Sequence, residues 1–191
     1  MYYGRTVMRF STGTKLKSKM QKLWCTSFNG FKVIVENNNW QVAVPETIAI
    51  ISINNGKDAG AIEECHLCTG ENVLNLNFDD IDPTALGLSE DATEYTYQTK
   101  DGRPITVEFF TREQAEAAVK FIEKYQNRDF YIHCSAGVSR SQAFIRFIQT
   151  VYHEIDWELN PDNPCNHPNG FVCQKLLRVW RENIDFSKIF E

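Results

Sequence analysis

The chain has 191 residues, 42% of them apolar, six cysteines and a formal charge of -5 at neutral pH. That length and composition suit one substantial globular domain and argue against two full domains or a low-complexity chain. The acidic balance speaks against general nucleic-acid binding, and no apolar run has the length of a membrane span or the flanks of a signal peptide, so a cytoplasmic location is expected.

Residues 1–30 carry Arg5, Arg9, Lys15, Lys17, Lys19 and Lys22 without a single acid. This basic segment either meets a polyanion or forms a solvated face, and it is assigned to no element of the domain predicted over 31–191. Phe31–Val35 is expected to be an opening strand, and Ile48–Ile53 a stronger core strand. Cys65-His66-Leu67-Cys68 has the spacing of half a zinc site, which Cys165, His167 and Cys173 could complete only with irregular spacing. The preferred reading makes Cys65 and Cys68 small buried hydrophobes near the end of a short helix, with no metal and no other cofactor. A chain able to build its own core does not need staples, so the cysteines are expected to be reduced.

Val73–Phe78 alternates apolar and polar residues and then runs into Asp79-Asp80-Ile81-Asp82-Pro83, the pattern of a strand ending in a loop. Asp101-Gly102, flanked by the β-prone runs Glu94–Thr99 and Ile105–Phe109, predicts a hairpin inserted over 94–109. Thr111 with Gln114 forms a capping-box pattern ahead of a helix whose stripe is Ala115, Ala118, Val119 and Ile122. Phe130–His133 is expected to be a strand, and Phe144, Phe147, Ile148 and Val151 give the helix that follows a core-facing stripe. Residues 160–170 are rich in Asn, Pro and Gly and read as an irregular connection to a last helix carrying Val172, Leu176, Leu177, Val179 and Trp180.

Between that strand and helix lies His133-Cys134-Ser135-Ala136-Gly137-Val138-Ser139-Arg140-Ser141. A tight loop of mostly small residues at a helix N-terminus can aim backbone N–H groups at an anion. Arg140, six positions after Cys134, can fold back to hold phosphoryl oxygens with its planar fork, which a lysine would not reproduce. The same donors favour the thiolate form of Cys134, the nucleophilic one. A departing alkoxide or phenolate needs a proton, so a carboxylic acid is required, and Asp79, Asp80 and Asp82 are candidates.

This loop resembles the Cys-x5-Arg-Ser/Thr signature of the protein tyrosine phosphatase superfamily, most closely its dual-specificity branch with bacterial and phage-like members. Phe78-Asp79-Asp80-Ile81-Asp82 resembles the acid loop of that branch, and His167-Pro168-Asn169 the connection before its late helix. The likeness covers about residues 45–184. It implies a three-layer α/β fold with a central, mainly parallel sheet. It also implies Cys134 as nucleophile, Asp80 as general acid with Asp82 as second choice, Ser141 assisting departure of the thiolate and His133 orienting the loop. The loop formed by Ser135, Ala136, Gly137, Val138, Ser139 and Arg140 would bind phosphate. Asp80 lies farther ahead of Cys134 than members commonly place their acid, and the hairpin accommodates the difference. The expected substrate is a phosphotyrosine-containing or other phosphorylated protein, because the loop interior lacks the lysines of lipid-directed relatives. The alternatives are a phosphoinositide or RNA 5′-phosphatase acting on polyanionic substrates with the same thiolate, and a phosphate-binding interaction module without turnover.

Overall fold

A computed structural model describes residues 21–57, 66–160 and 167–183. The basic side chains of Arg5, Arg9, Lys15, Lys17 and Lys19, together with Cys65 and Cys165, lie outside the described residues. The architecture is α/β in three layers around a five-stranded sheet of order β3-β2-β6-β1-β7, in which every pairing is parallel. The strands are β1 (Gln21–Ser27), β2 (Ile48–Asn54), β3 (Val73–Asn77), β6 (Asp129–Cys134) and β7 (Trp157–Leu159). A separate antiparallel hairpin pairs β4 (Glu94–Gln98) with β5 (Pro104–Glu108).

The two central strands explain why the sheet is covered on both sides. Along β2, Ala49, Ile51 and Ile53 face one core, and Ile48 and Ile50 face the other. Along β6, Phe130, Ile132 and Cys134 face the first, and Tyr131 the second. Strands apolar on both faces are what a parallel sheet between helical layers requires. The larger core is closed by helices α2 (Arg112–Tyr125), α3 (Arg140–Val151) and α4 (Gly170–Asn183), through Ala115, Ala118, Val119, Ile122, Phe144, Phe147, Ile148, Val172, Leu176 and Val179. The smaller core is closed by α1 (Phe28–Asn38), through Phe31 and Val35, with Trp40 and Cys68. No helix among the described residues is long and apolar enough to cross a membrane.

The opening of the chain differs from the sequence expectation. Phe31–Val35 is helical, inside α1, and the strand at this edge is Gln21–Ser27, so the sheet reaches back ahead of residue 31. A five-residue apolar run has no period of its own that separates strand from helix. Here Ser27 caps the helix by accepting from the Gly30 N–H at 3.1 Å, and Phe31 and Val35, one turn apart, share its buried face. Cys68 is buried, but residues 66–69 are not helical, so the short helix expected to end there does not extend over them.

Other local signals act as their chemistry dictates. Thr111 Oγ1 accepts from the Gln114 N–H at 3.2 Å, and Gln114 Oε1 accepts from the Thr111 N–H at 3.0 Å, closing the capping box of α2. Gly102 takes φ +79° in the hairpin turn, a conformation that costs glycine nothing. The hairpin base joins the body where Phe109 N donates to Thr93 O and Asp79 N donates to Glu108 O.

Candidate active site

Strand β6 delivers Cys134 to the C-terminal edge of the sheet, and α3 begins at Arg140, so residues 135–139 form the loop between them. The loop is held from outside by its carbonyls. Ser135 O accepts from Phe28 N, Gly137 O from Gln142 Nε2 at 3.0 Å, and Ser139 O from Asn169 N. Gly137 N–H is directed inward and donates to Cys134 Sγ at 3.3 Å. Gly137 has φ +75°, and a Cβ there would lie 2.6 Å from Ser27 N, so both the turn and the contact with β1 demand glycine. Ser139 stands at the N-cap of α3 but makes no capping bond. Its hydroxyl donates instead to Asp80, which leaves the first turn of α3 without a side-chain acceptor at an end that favours anions.

Cys134 is 2% exposed, and its sulfur lies 3.1 Å from Ser141 Oγ. The Cys25 sulfur lies 3.0 Å from the same hydroxyl and 3.4 Å from the Gly137 carbonyl oxygen. His133 is wholly buried, stacked on Phe31 with ring centroids 4.3 Å apart, and its Nε2 lies 2.8 Å from Ser52 Oγ. Burial first, then the neighbouring His66 and Arg140, pushes His133 down to about 3, so the ring is neutral and supports the loop as a packed, hydrogen-bonded group.

Arg140 is 4% exposed and bonded on three sides. Nη1 donates to Asn54 O at 3.2 Å and Phe78 O at 2.6 Å, the carbonyls at the ends of β2 and β3. Nη2 donates to Asn55 Oδ1 and Ser135 Oγ, both at 2.7 Å. Nε, also buried, has no partner. Both terminal nitrogens are therefore occupied by protein acceptors here.

The three aspartates have three different jobs. Asp79 is buried and accepts from Gly56 N at 3.1 Å and Glu108 N at 2.8 Å, pinning the acid loop to the hairpin base. Asp80 is exposed, and its Oδ1 accepts from Ser139 Oγ and Asn169 Nδ2, both at 2.8 Å. Asp82 caps a 3-10 turn, accepting from Thr84 N and Thr84 Oγ1. Of the two candidate acids, Asp80 is thus the one bonded to the phosphate-loop segment. A cleft of about 440 Å³ opens beside it, lined by Asp80, Asp82, Glu90, Ser139, Asn169 and Phe171 among others.

Sequence reasoning did not single out Asn55 or the triple role of Asn169, which bonds Asp80, the Ser139 carbonyl and, through Oδ1, the Val172 N–H that starts α4. The Asn54-Asn55-Gly56 run after a core strand was the available signal for Asn55, and Pro168-Asn169 before a helix the one for Asn169. No cluster of metal-ligating side chains occurs among the described residues. His66 is bonded instead to Ser52, Asn54 and Asn77.

The chain matches no protein-family model and no curated protein. Among solved structures it is similar to one described as the crystal structure of PTPMT1, with 16% identity, 83% of this chain and 88% of that chain covered, and a TM-score of 0.36.

Proposed function

We propose that this protein is a phosphatase of the protein tyrosine phosphatase superfamily, hydrolysing phosphate monoesters through a cysteinyl-phosphate intermediate. The observation that carries the reading is the joint geometry of the loop. The Cys134 sulfur receives a backbone N–H and faces a serine hydroxyl, at the uncapped start of a helix that also carries a buried arginine with one unused N–H.

In this reading Cys134 Sγ attacks phosphorus, forming the S–P bond as the ester P–O bond breaks. Asp80 protonates the departing oxygen, and the loop amides with Arg140 hold the charge that gathers on the phosphoryl oxygens. Water then attacks the cysteinyl phosphate and gives its proton to Asp80, while the Ser141 hydroxyl donates to the leaving sulfur. Inorganic phosphate and the thiolate result. Asp80 is preferred to Asp82 because it is bonded to Ser139 of the loop, whereas the bonds of Asp82 go to Thr84.

The substrate proposed is a phosphorylated protein, phosphotyrosine first, in a reducing compartment such as the cytoplasm, where the thiol persists. The cleft beside Asp80 favours this over a polyanionic lipid or RNA end, because it presents three carboxylates and no lysine or arginine lines it among the described residues. Phosphate release from an aryl phosphate under reducing, chelator-treated conditions, compared with Cys134→Ser, tests the reading. Thiol-dependent multiple turnover is expected; a wild type that binds phosphate without releasing product across the pH range would make it a binding module instead.

A further inference from the structure

We infer that Phe171 is the specificity-determining residue for an aromatic leaving group, a ring at the start of α4 against which the phenol of a phosphotyrosine lies. The inference rests on the phosphate loop and the acid role of Asp80 proposed above, and adds the residue that reads the leaving side of the ester.

Asp80 can protonate only an oxygen that lies beside it, so the group carried by that oxygen enters the cleft that Asp80 and Ser139 line. Its volume of about 440 Å³ falls within the range of small-molecule sites. The three carboxylates on its walls already have partners. Asp80 accepts from Ser139 and Asn169, Asp82 from Thr84, and Glu90 from Arg178, through Nη1 at 2.6 Å and Nη2 at 3.1 Å. Phe171 is the one aromatic side chain among the described residues that line the cleft.

The ring is fixed by its surroundings. It packs on the larger core, and the Nζ of Lys175, one turn along α4, lies 4.5 Å from its centroid. Lys175 is 7% exposed, and its ammonium donates to the carbonyls of Glu90 at 2.7 Å and Phe110 at 3.1 Å, so it cannot leave the ring without giving up two acceptors. With the ammonium against one face, the ring meets the cleft with its other face or its edge. Both arrangements suit a second ring, at centroid separations of about 4.5–7 Å. The leaving groups of phosphoserine and phosphothreonine have no ring to place there.

The test is calorimetric binding of benzylphosphonate and methylphosphonate, which share a non-hydrolysable anionic group and differ by the ring, to the full-length protein and its Phe171→Leu and Phe171→Tyr variants. Wild type is expected to bind benzylphosphonate about tenfold more tightly than methylphosphonate. Phe171→Leu is expected to lose about two- to tenfold of that preference, the scale of one aromatic pair, while Phe171→Tyr keeps it. Methylphosphonate and tungstate, which carry no ring, should bind Phe171→Leu as they bind wild type. In turnover of an aryl phosphate the loss is expected in KM rather than in kcat. An equal loss for both phosphonates makes Phe171 a packing residue and overturns the inference, as does a Phe171→Leu protein that keeps the whole preference. A wild type that binds the two phosphonates equally overturns it without any variant, so the question stays answerable if Phe171→Leu fails to fold. Ring preference without hydrolysis of any ester overturns the phosphatase reading and leaves the ring contact standing, and a wild type that binds neither phosphonate nor tungstate overturns both.

Discussion

The loop from Cys134 to Arg140 and the loop that carries Asp80, the proposed phosphate cradle and the proposed acid, are built to different standards. Cys134, Arg140 and Ser141 are buried at the junction of a central strand and a core helix, and the loop between them is bonded outward to α1, α3 and the residue preceding α4. Asp80 is exposed, on a loop anchored by the buried Phe78 and by Asp79, whose carboxylate is bonded to the hairpin base and to Gly56. The difference matches the chemistry required of each. Charge stabilisation demands donors that do not reorganise, whereas a proton donor has only to reach the leaving oxygen and must admit and release the substrate.

Substitutions can break this contrast from either side. A large effect is expected at Arg140: Arg140→Lys keeps the charge but loses the planar contacts to Asn55, Ser135, Asn54 and Phe78, and kcat/KM with an aryl phosphate should fall about 10²- to 10³-fold or more. Asp80→Asn should lower turnover about 10²- to 10⁴-fold for a poor leaving group and flatten the acid-dependent limb of the pH profile, while tungstate still binds. If Asp82→Asn does this and Asp80→Asn does not, the assignment passes to Asp82. Asp79→Ala sharpens the comparison, because it leaves Asp80 in place and removes its anchor. A fall in turnover of up to about 10²-fold is expected with little change in tungstate affinity, alongside about 1–3 kcal/mol of lost stability in urea titration.

The buried side also has a pH signature in stability. The unfolded chain protonates His133 near 6.5, whereas the folded protein holds it down to about 3. Between those values the unfolded state binds the extra proton, so the contribution is full above about pH 6.5 and is lost as pH falls toward 3. The urea midpoint should therefore drop from about pH 7.5 to about pH 5, and His133→Asn should flatten that drop. The smallest effect is expected at the hairpin tip: Gly102→Ala meets no neighbouring atom but is strained at φ +79°, costing about 1 kcal/mol in thermal unfolding without altering turnover.

What could be foreseen from sequence follows the same division. The loop from Cys134 to Ser141 is contiguous and framed by a strand and a helix of clear pattern, so its elements and the inserted hairpin were legible, as was the capping box at Thr111. The bonds that tune it are not local. Asn55 meets Ser135 and Arg140, and Asn169 meets Asp80, across 80 to 89 residues of chain, and a lone asparagine after a strand or before a helix carries no periodic signal of its partner. The opening strand was missed for a different reason: Phe31–Val35 is equally compatible with either element, and the deciding facts, the Ser27 cap and the pairing of Leu23–Ser27 with Phe130–Cys134, are tertiary.

The central claim is that phosphorus becomes bonded to the Cys134 sulfur. Rapid acid quenching of the protein during turnover of an aryl phosphate, followed by peptide mass mapping, tests it most directly. One phosphate is expected on the peptide carrying Cys134, enriched in Ser141→Ala, where departure of the thiolate loses its hydrogen bond, and absent in Cys134→Ser. Full turnover with no phosphate on that peptide, undiminished in Cys134→Ser, would contradict it.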